Sequence, residues 1–236
     1  MEDFKSEMPW VTIYLEGQPF ALSANYVREM VVMPTVTSLP KTPEYIRGVI
    51  NLRGKVLVVI DLRKRVGRKS LLDETGDLLE MLDAREQDHK NWLVELEASV
   101  REKKPFKLTR DPHQCAFGQW YDKFTTDNKV LTNCLKKFDA PHKRIHAIAD
   151  EVKVLEESEQ FTEAFDLIGK TGKRELAMMV ELFAEARKLL RETNREIALV
   201  LEYNNDFFAL AVDSVETVER LAETDITEMS EVTPES

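Results

Sequence analysis

The sequence predicts an α+β chain in which a β-rich domain is interrupted by a helical insertion. Three observations carry this. Prolines crowd the first segment, at Pro9, Pro19, Pro34, Pro40 and Pro43, and thin out through the middle. Charge is uneven: Met1–Ser70 holds 11 Lys/Arg against 7 Asp/Glu, Leu71–Glu192 holds 20 against 25, and Thr193–Ser236 holds 2 against 11. Hydrophobic period also changes, from alternation at both ends to threes and fours between them.

The strands come first. Val11, Ile13 and Leu15 alternate, Glu16 to Pro19 supplies a turn, and Phe20 and Leu22 resume the pattern, which makes a hairpin. Ile46–Asn51 and Lys55–Ile60 meet at Arg53-Gly54 in a second hairpin. Ile197–Tyr203 and Phe207–Val215, joined by Asn204-Asn205-Asp206, make a third. Short strands with tight turns point to antiparallel barrels or a sandwich rather than a parallel sheet.

Between them the spacing predicts helix almost throughout. Leu79, Leu82, Leu93, Leu96 and Val100 form one stripe. Asp111-Pro112 reads as an N-cap with Pro at the first helical position, opening a helix to about Phe124, with a shorter one near Val130–Phe138. Asp139-Ala140-Pro141 opens another to about Ile168, stopped by Gly169. Gly172–Arg195 carries a wide stripe from Leu176 to Leu190. Four long helices, one of them broken, predict an antiparallel four-helix bundle whose chain leaves near where it entered. The expected boundaries are 1–70 and 193–236 for the split β domain and 71–192 for the insertion.

Composition narrows the function. The net charge of −10 disfavours broad nucleic-acid binding. The longest apolar run, Phe207–Val212, is far short of a membrane span. The N-terminus lacks a secretory pattern, and two cysteines cannot form a disulfide framework, so a cytoplasmic, reducing setting is expected.

Three of the four histidines fall on predicted inward faces. His89 continues the stripe between Leu82 and Leu93, while His142 and His146 lie four apart on one face. With Cys115 they complete a tetrahedral donor set for zinc. A histidine on an apolar face is commonly a core residue with a satisfied nitrogen, but three in one small bundle would each need a partner. His113, two positions from Cys115, reads as capping or solvated, and Cys134 as an inert core thiol.

His89, then Cys115-Ala116-Phe117-Gly118-Gln119-Trp120, then His142 and His146 resemble the chemoreceptor zinc-binding (CZB) domain. An aromatic expected two residues after the first His falls instead at Trp92. The resemblance implies Zn2+ held by His89, Cys115, His142 and His146, and gives Gly118 the task of letting two helices approach at the metal.

The flanks resemble a different family. Tyr26 to Val31, Leu39-Pro40, the stretch Pro43 to Gly54 with its Gly48-Val49-Ile50-Asn51-Leu52-Arg53-Gly54 core, Val59-Ile60-Asp61-Leu62, and Ala209 to Val215 are similar to the CheW-type chemotaxis adaptor. That family folds as two small β-barrels and ties chemoreceptor tips to the histidine kinase CheA. Its closing Gly-containing strand pair is not found before Ser236, so a second barrel that is incomplete, shortened or finished by a partner is expected. By position, Val27, Glu29, Gly48, Arg53 and Val215 are where receptor and kinase contacts, or their supports, would lie. From residue types alone Arg53 is a solvated turn residue, and Arg63, Lys64, Arg65, Arg68 and Lys69 are a solvated strand end and linker.

Together these imply a non-catalytic adaptor, with no nucleic acid and no membrane insertion, whose bundle senses zinc or an oxidant such as hypochlorous acid through Cys115. The thiolate is favoured by the metal and the helix N-terminus. A purely structural zinc is one rival. A zinc-dependent hydrolase is another, though four protein ligands leave no site for water, and His142-Lys143-Arg144-Ile145-His146 lacks the glutamate of a His-Glu-x-x-His base.

Overall fold

The structure, a computed structural model, describes residues 7–222 and divides into two compact units. One is formed by residues up to Glu74 together with those from Asn194 onward, the other by Thr75–Thr193.

The first unit contains β1 (Glu7–Leu15), β2 (Gln18–Ser23), β3 (Val27–Val32), β4 (Ile46–Leu52), β5 (Lys55–Asp61), a one-turn helix α1 (Leu62–Arg65), β6 (Ile197–Tyr203), β7 (Asp206–Val212) and β8 (Ser214–Ala222). The three expected hairpins are present, and each closes on two residues with positive φ: Glu16 and Gly17, Arg53 and Gly54, Asn204 and Asn205. That is the turn whose twist matches the flanking strands. Arg53 and Glu16 adopt it without being glycine.

The strands form two sheets, ordered β2-β1-β8 and β3-β6-β7-β5-β4. Neither closes into a barrel among the described residues, and β5 pairs with β7 in parallel, so the expected antiparallel barrels are replaced by open sheets, one of them mixed. The physical reason lies in β6 and β7, which are buried on both faces. Leu199, Leu201, Leu210 and Val212 pack with Val11, Ile13 and Leu15 of β1; Ala198, Val200, Ala209 and Ala211 pack with Ile50, Leu57 and Val59. Strands covered on both sides accommodate parallel neighbours. The predicted strand Phe207–Val215 is cut at Asp213, where the chain passes from one sheet to the other.

One half-buried and one buried arginine anchor this unit. Arg47 donates to Asp61 at 2.7 Å and to Glu196 at 2.8 Å. Arg63, expected to be solvated, is 5% exposed; it donates to Asp213 and, at 2.6 Å, to Glu74. Its neighbours are paired as well, Lys64 with Asp73 and Arg68 with Glu16. Three of the five basic residues are therefore ion-paired, and Arg65 lies over the Tyr45 ring.

The second unit is helical. α2 (Leu71–Glu102) starts in the first unit, where Ser70 Oγ accepts from the Asp73 amide. Then come α3 (Ala116–Tyr121), α4 (Lys129–Lys136), α5 (Asp139–Glu157), α6 (Phe161–Thr171), a π-helical turn at Gly172–Leu176, and α7 (Ala177–Thr193). Four long helices are not what forms: α3 and α4 are short, and α6 runs through the π turn into α7 without a stop at Gly169. The break falls at Ser158–Gln160, where Glu159 takes a left-handed conformation. A single core holds these helices, with Phe117, Phe138, Phe183, Ile145, Ile148 and Leu96 almost fully buried.

Gly48 lies at φ +142, and a Cβ there would stand 2.1 Å from the Thr37 carbonyl oxygen. Gly48→Ala is expected to destabilise the β unit by more than about 1 kcal/mol, read as a lower urea midpoint with an unchanged slope.

Candidate metal centre

Each donor of the predicted set is positioned by ordinary local structure. His89 sits in the inward stripe of α2, between Leu82 and Leu93, and is 3% exposed. His142 and His146 project from one face of α5 and are likewise buried. Cys115 is the N-cap of α3 rather than a residue of its first turn: its sulfur accepts from the Gly118 amide at 3.2 Å. Asp111, expected to cap, instead folds the preceding turn by accepting from the His113 amide at 2.9 Å. Gly118 is required because a Cβ would stand 1.8 Å from the Pro112 carbonyl oxygen. The close approach is thus between α3 and its own leading turn, not between two helices.

One ligand atom from each of His89, Cys115, His142 and His146 lies within 4.8 Å of the others. His142 Nε2 is 3.2 Å from the Cys115 sulfur. Backbone carbonyls settle which nitrogen of two rings faces inward. Arg85 O is 2.7 Å from His89 Nδ1, and Thr109 O is 3.2 Å from His146 Nδ1, so each Nδ1 donates and each Nε2 keeps its lone pair. Both Nε2 atoms are buried and have no hydrogen-bond partner. Orphaned buried lone pairs are costly unless something accepts them, and a cation does. Tetrahedral zinc would separate such donors by about 3.4–3.7 Å, a small contraction of this cluster. The donor set fits the metal.

Electrostatics favours neutral rings. Burial pushes His142 down to about 3 and His146 down to about 4, each further lowered by neighbouring imidazoles, and burial lowers His89 as well. The Cys115 thiol is pushed up by burial despite the amides of Gly118 and Phe117. The amides at the helix N-terminus favour the thiolate as expected, but burial outweighs them, and a bound cation would supply the rest.

Aromatic residues wall the site. Phe117 meets the His142 ring edge-on at 5.0 Å, and Trp92 meets His146 at 5.0 Å. Trp92 Nε1 also donates to Thr109 O at 2.8 Å, so one carbonyl orients both a ligand ring and its wall. The carbonyls of Arg85 and Thr109 were beyond sequence reasoning, since a backbone oxygen has no residue-type signature. His113 lies outside the cluster, exposed, with Nδ1 2.9 Å from Asp122. Cys134 is buried near the Leu182 carbonyl, its thiol pushed up to about 11 mainly by burial.

The other positions named from sequence lie in the β unit. Arg53, 79% exposed at its turn, reaches Glu29 at 2.8 Å, and both line a small cleft with Arg28, Lys55 and Phe207. Val27 and Val215 are half-buried against the core of β1, β6 and β7. Gly48 serves backbone packing against Thr37.

A stability prediction follows from the depressed histidines. Their folded pKa values lie below the ordinary value of about 6.5, so the unfolded chain takes up protons first as pH falls. In protein stripped of metal, stability is expected to be full above about pH 6.5 and to decline as pH drops toward 5, before carboxylates titrate. Urea midpoints across that window are expected to slope less in a His142→Gln/His146→Gln variant. An equal slope would refute the assignment.

Comparison with known proteins bears on both units. Residues 9–87 match the CheW-like domain family, and residues 89–153, which include all four clustered residues, match the chemoreceptor zinc-binding domain family. The probable chemotaxis protein CheW of Rhizobium etli is 46% identical over 59 residues, 25% of this chain and 38% of that protein. Chemotaxis protein CheW of Bacillus subtilis is 36% identical over 75 residues, 31% of this chain and 48% of that protein. The chain spans less than half the length of either relative. The crystal structure of scaffolding protein TtCheW from Thermoanaerobacter tengcongensis aligns with a TM-score of 0.41 and 16% identity, over 97% of this chain and 75% of that one. Strands β6 to β8 lie outside both matched stretches. The chain therefore carries a CheW-like domain followed by a chemoreceptor zinc-binding domain.

Proposed function

We propose that this chain is a non-catalytic chemotaxis adaptor that joins chemoreceptor tips to the histidine kinase CheA, with a zinc-dependent sensor inserted into it. The observation that carries the sensor is the buried cluster of His89, Cys115, His142 and His146 with two orphaned Nε2 atoms. These four residues would hold the metal, which when bound keeps the Cys115 sulfur as a thiolate and joins α2, α3 and α5. With all four donors from protein, hydrolysis has no coordination site left for water.

The adaptor reading is supported by the relatives that carry the name chemotaxis protein CheW. It is also supported by Arg53, a non-glycine residue held at positive φ on an exposed turn beside Glu29. The Arg53 side chain is 79% exposed on that turn and so is open to a partner. Val27, Gly48 and Val215 then act as supports of that surface rather than as contacts.

Cys115 is the reactive element. Hypochlorous acid transfers its oxygen to the thiolate, so that an S–O bond forms and the O–Cl bond breaks. The sulfur is oxidised to sulfenic acid and chlorine leaves as chloride. The donor loses its anionic charge, and His89, His142 and His146 are left without the fourth member of their set. Repacking of Phe117 and Trp92, which touch those rings, carries the change into the helical core.

Purified wild type is expected to hold one equivalent of zinc by elemental analysis, and His89→Ala and Cys115→Ala well below one. If both variants retain a full equivalent, the site is misassigned. Stoichiometric hypochlorous acid is expected to release zinc and to change binding to a receptor tip fragment or to the kinase. Complete release without any change in binding would leave zinc a structural role alone.

A further inference from the structure

Trp92 and Phe117 both wall the metal centre, but they are not equivalent. Phe117 has no polar atom, whereas Trp92 brings an N–H. Trp92 lies three residues after His89 on the inward face of α2 and is 4% exposed. A buried indole N–H needs an acceptor. It donates to the Thr109 carbonyl at 2.8 Å, the same oxygen that accepts from His146 Nδ1 at 3.2 Å. A carbonyl has two lone pairs and can take both donors. One candidate ligand ring and one tryptophan are thus joined through a single backbone atom.

Whatever fixes that atom decides where His146 points. Thr109 belongs to the irregular stretch between α2 and α3, so its carbonyl lies outside any helix or strand. Next to it, Arg110 pairs with Asp150 of α5 at 2.8 Å, but at the surface, where such a pair adds little. Phe106 of the same stretch packs edge-on against the Trp92 ring at 4.9 Å, which ties the stretch to that residue a second time. The shorter of the two bonds to the Thr109 oxygen is the indole's. The carbonyl is therefore held from α2, and it orients a ring carried by α5. His89 is different, because its Nδ1 faces the Arg85 carbonyl of its own helix.

We propose that Trp92 is a positioning residue for the metal, acting on His146 through the Thr109 carbonyl. The inference rests on the metal centre proposed above. Without the indole N–H, the Thr109 oxygen is free to shift and His146 Nδ1 loses its fixed acceptor. His146 Nε2 is then no longer held towards the other three donors. Helix α2 thus supplies one ligand itself, His89, and sets the direction of another on α5.

Trp92→Phe in the full chain tests this, since it keeps an aromatic ring in the core and removes the donor. Zinc affinity, read by competition with a chromophoric chelator, is expected to fall about 10–100-fold, as when outer partners of metal-bound histidines are removed. Far-UV circular dichroism establishes that the variant is folded. Heteronuclear NMR of the metal-free protein supplies a readout that general loosening of the core would not give. In wild type, His89 and His146 are both expected to carry their proton on Nδ1. In Trp92→Phe, His146 is expected to become a mixture of tautomers while His89 stays as it is. A wild-type His146 protonated on Nε2 would overturn the proposal without any variant. So would an unchanged zinc affinity, a His146 that keeps its wild-type tautomer in Trp92→Phe, or an equal loss at both rings. A wild type that binds no zinc would overturn the metal centre itself, and this proposal with it.

Discussion

Bringing three imidazoles and one thiol to a single buried point is the constraint around which the helical unit is organised. Each ring must be neutral, each Nδ1 needs an acceptor, and each Nε2 must face the same small volume. Helix α2 meets the first demand by carrying His89 in an otherwise apolar stripe, and the Arg85 carbonyl of the same helix meets the second. For His146 the acceptor comes from the irregular segment between α2 and α3, where Thr109 also takes the Trp92 indole proton. Packing leaves the Nε2 atoms of His89 and His146 buried without a hydrogen-bond partner. A buried acceptor without a partner costs about 1–3 kcal/mol, so a ligand would complete this core better than more hydrophobic burial.

In the β unit polar groups do the opposite work, tying segments distant in sequence to one another without any ligand. Arg47 joins β4 to Asp61 and Glu196, and Arg63 joins α1 to Asp213 and to Glu74 in the first turn of α2. Asp213 is the residue at which the chain changes sheets, and it also accepts from the Glu16 amide in the β1–β2 turn at 2.7 Å. Removing one member of such a buried set costs several kcal/mol because the remaining charge is stranded. The arginines therefore fix the geometry of the corner where both sheets and the first turn of α2 meet.

Much of this is legible in the sequence. Hairpins announce themselves because a period of two and a turn pair are both local, and the donor set could be recognised from residue type and spacing. What escaped was non-local or lay in the backbone. Alternation along β5 says nothing about whether its neighbour is parallel, and that is decided by β7, about 150 residues away. Arg63 looked solvated because its acceptor Asp213 is as distant. The break at Glu159 has neither glycine nor proline to mark it, whereas Gly169, which looked like a stop, simply faces open space inside a helix. Cys115 as an N-cap follows from a tight contact between Gly118 and Pro112 that only three dimensions display.

The five-stranded sheet is assembled from both sides of the insertion: β3 needs β6, and β5 needs β7. No ribosome can deliver those partners until residues Thr75–Thr193 have been made. While that stretch is unfolded, pairing β5 with β7 means closing a loop more than 100 residues long, at an entropic cost that grows with its length. Once the helices have condensed, fewer flexible residues separate β5 from β7 and that cost falls. A helical unit that condenses early would lower the cost of joining the two halves of the sheet.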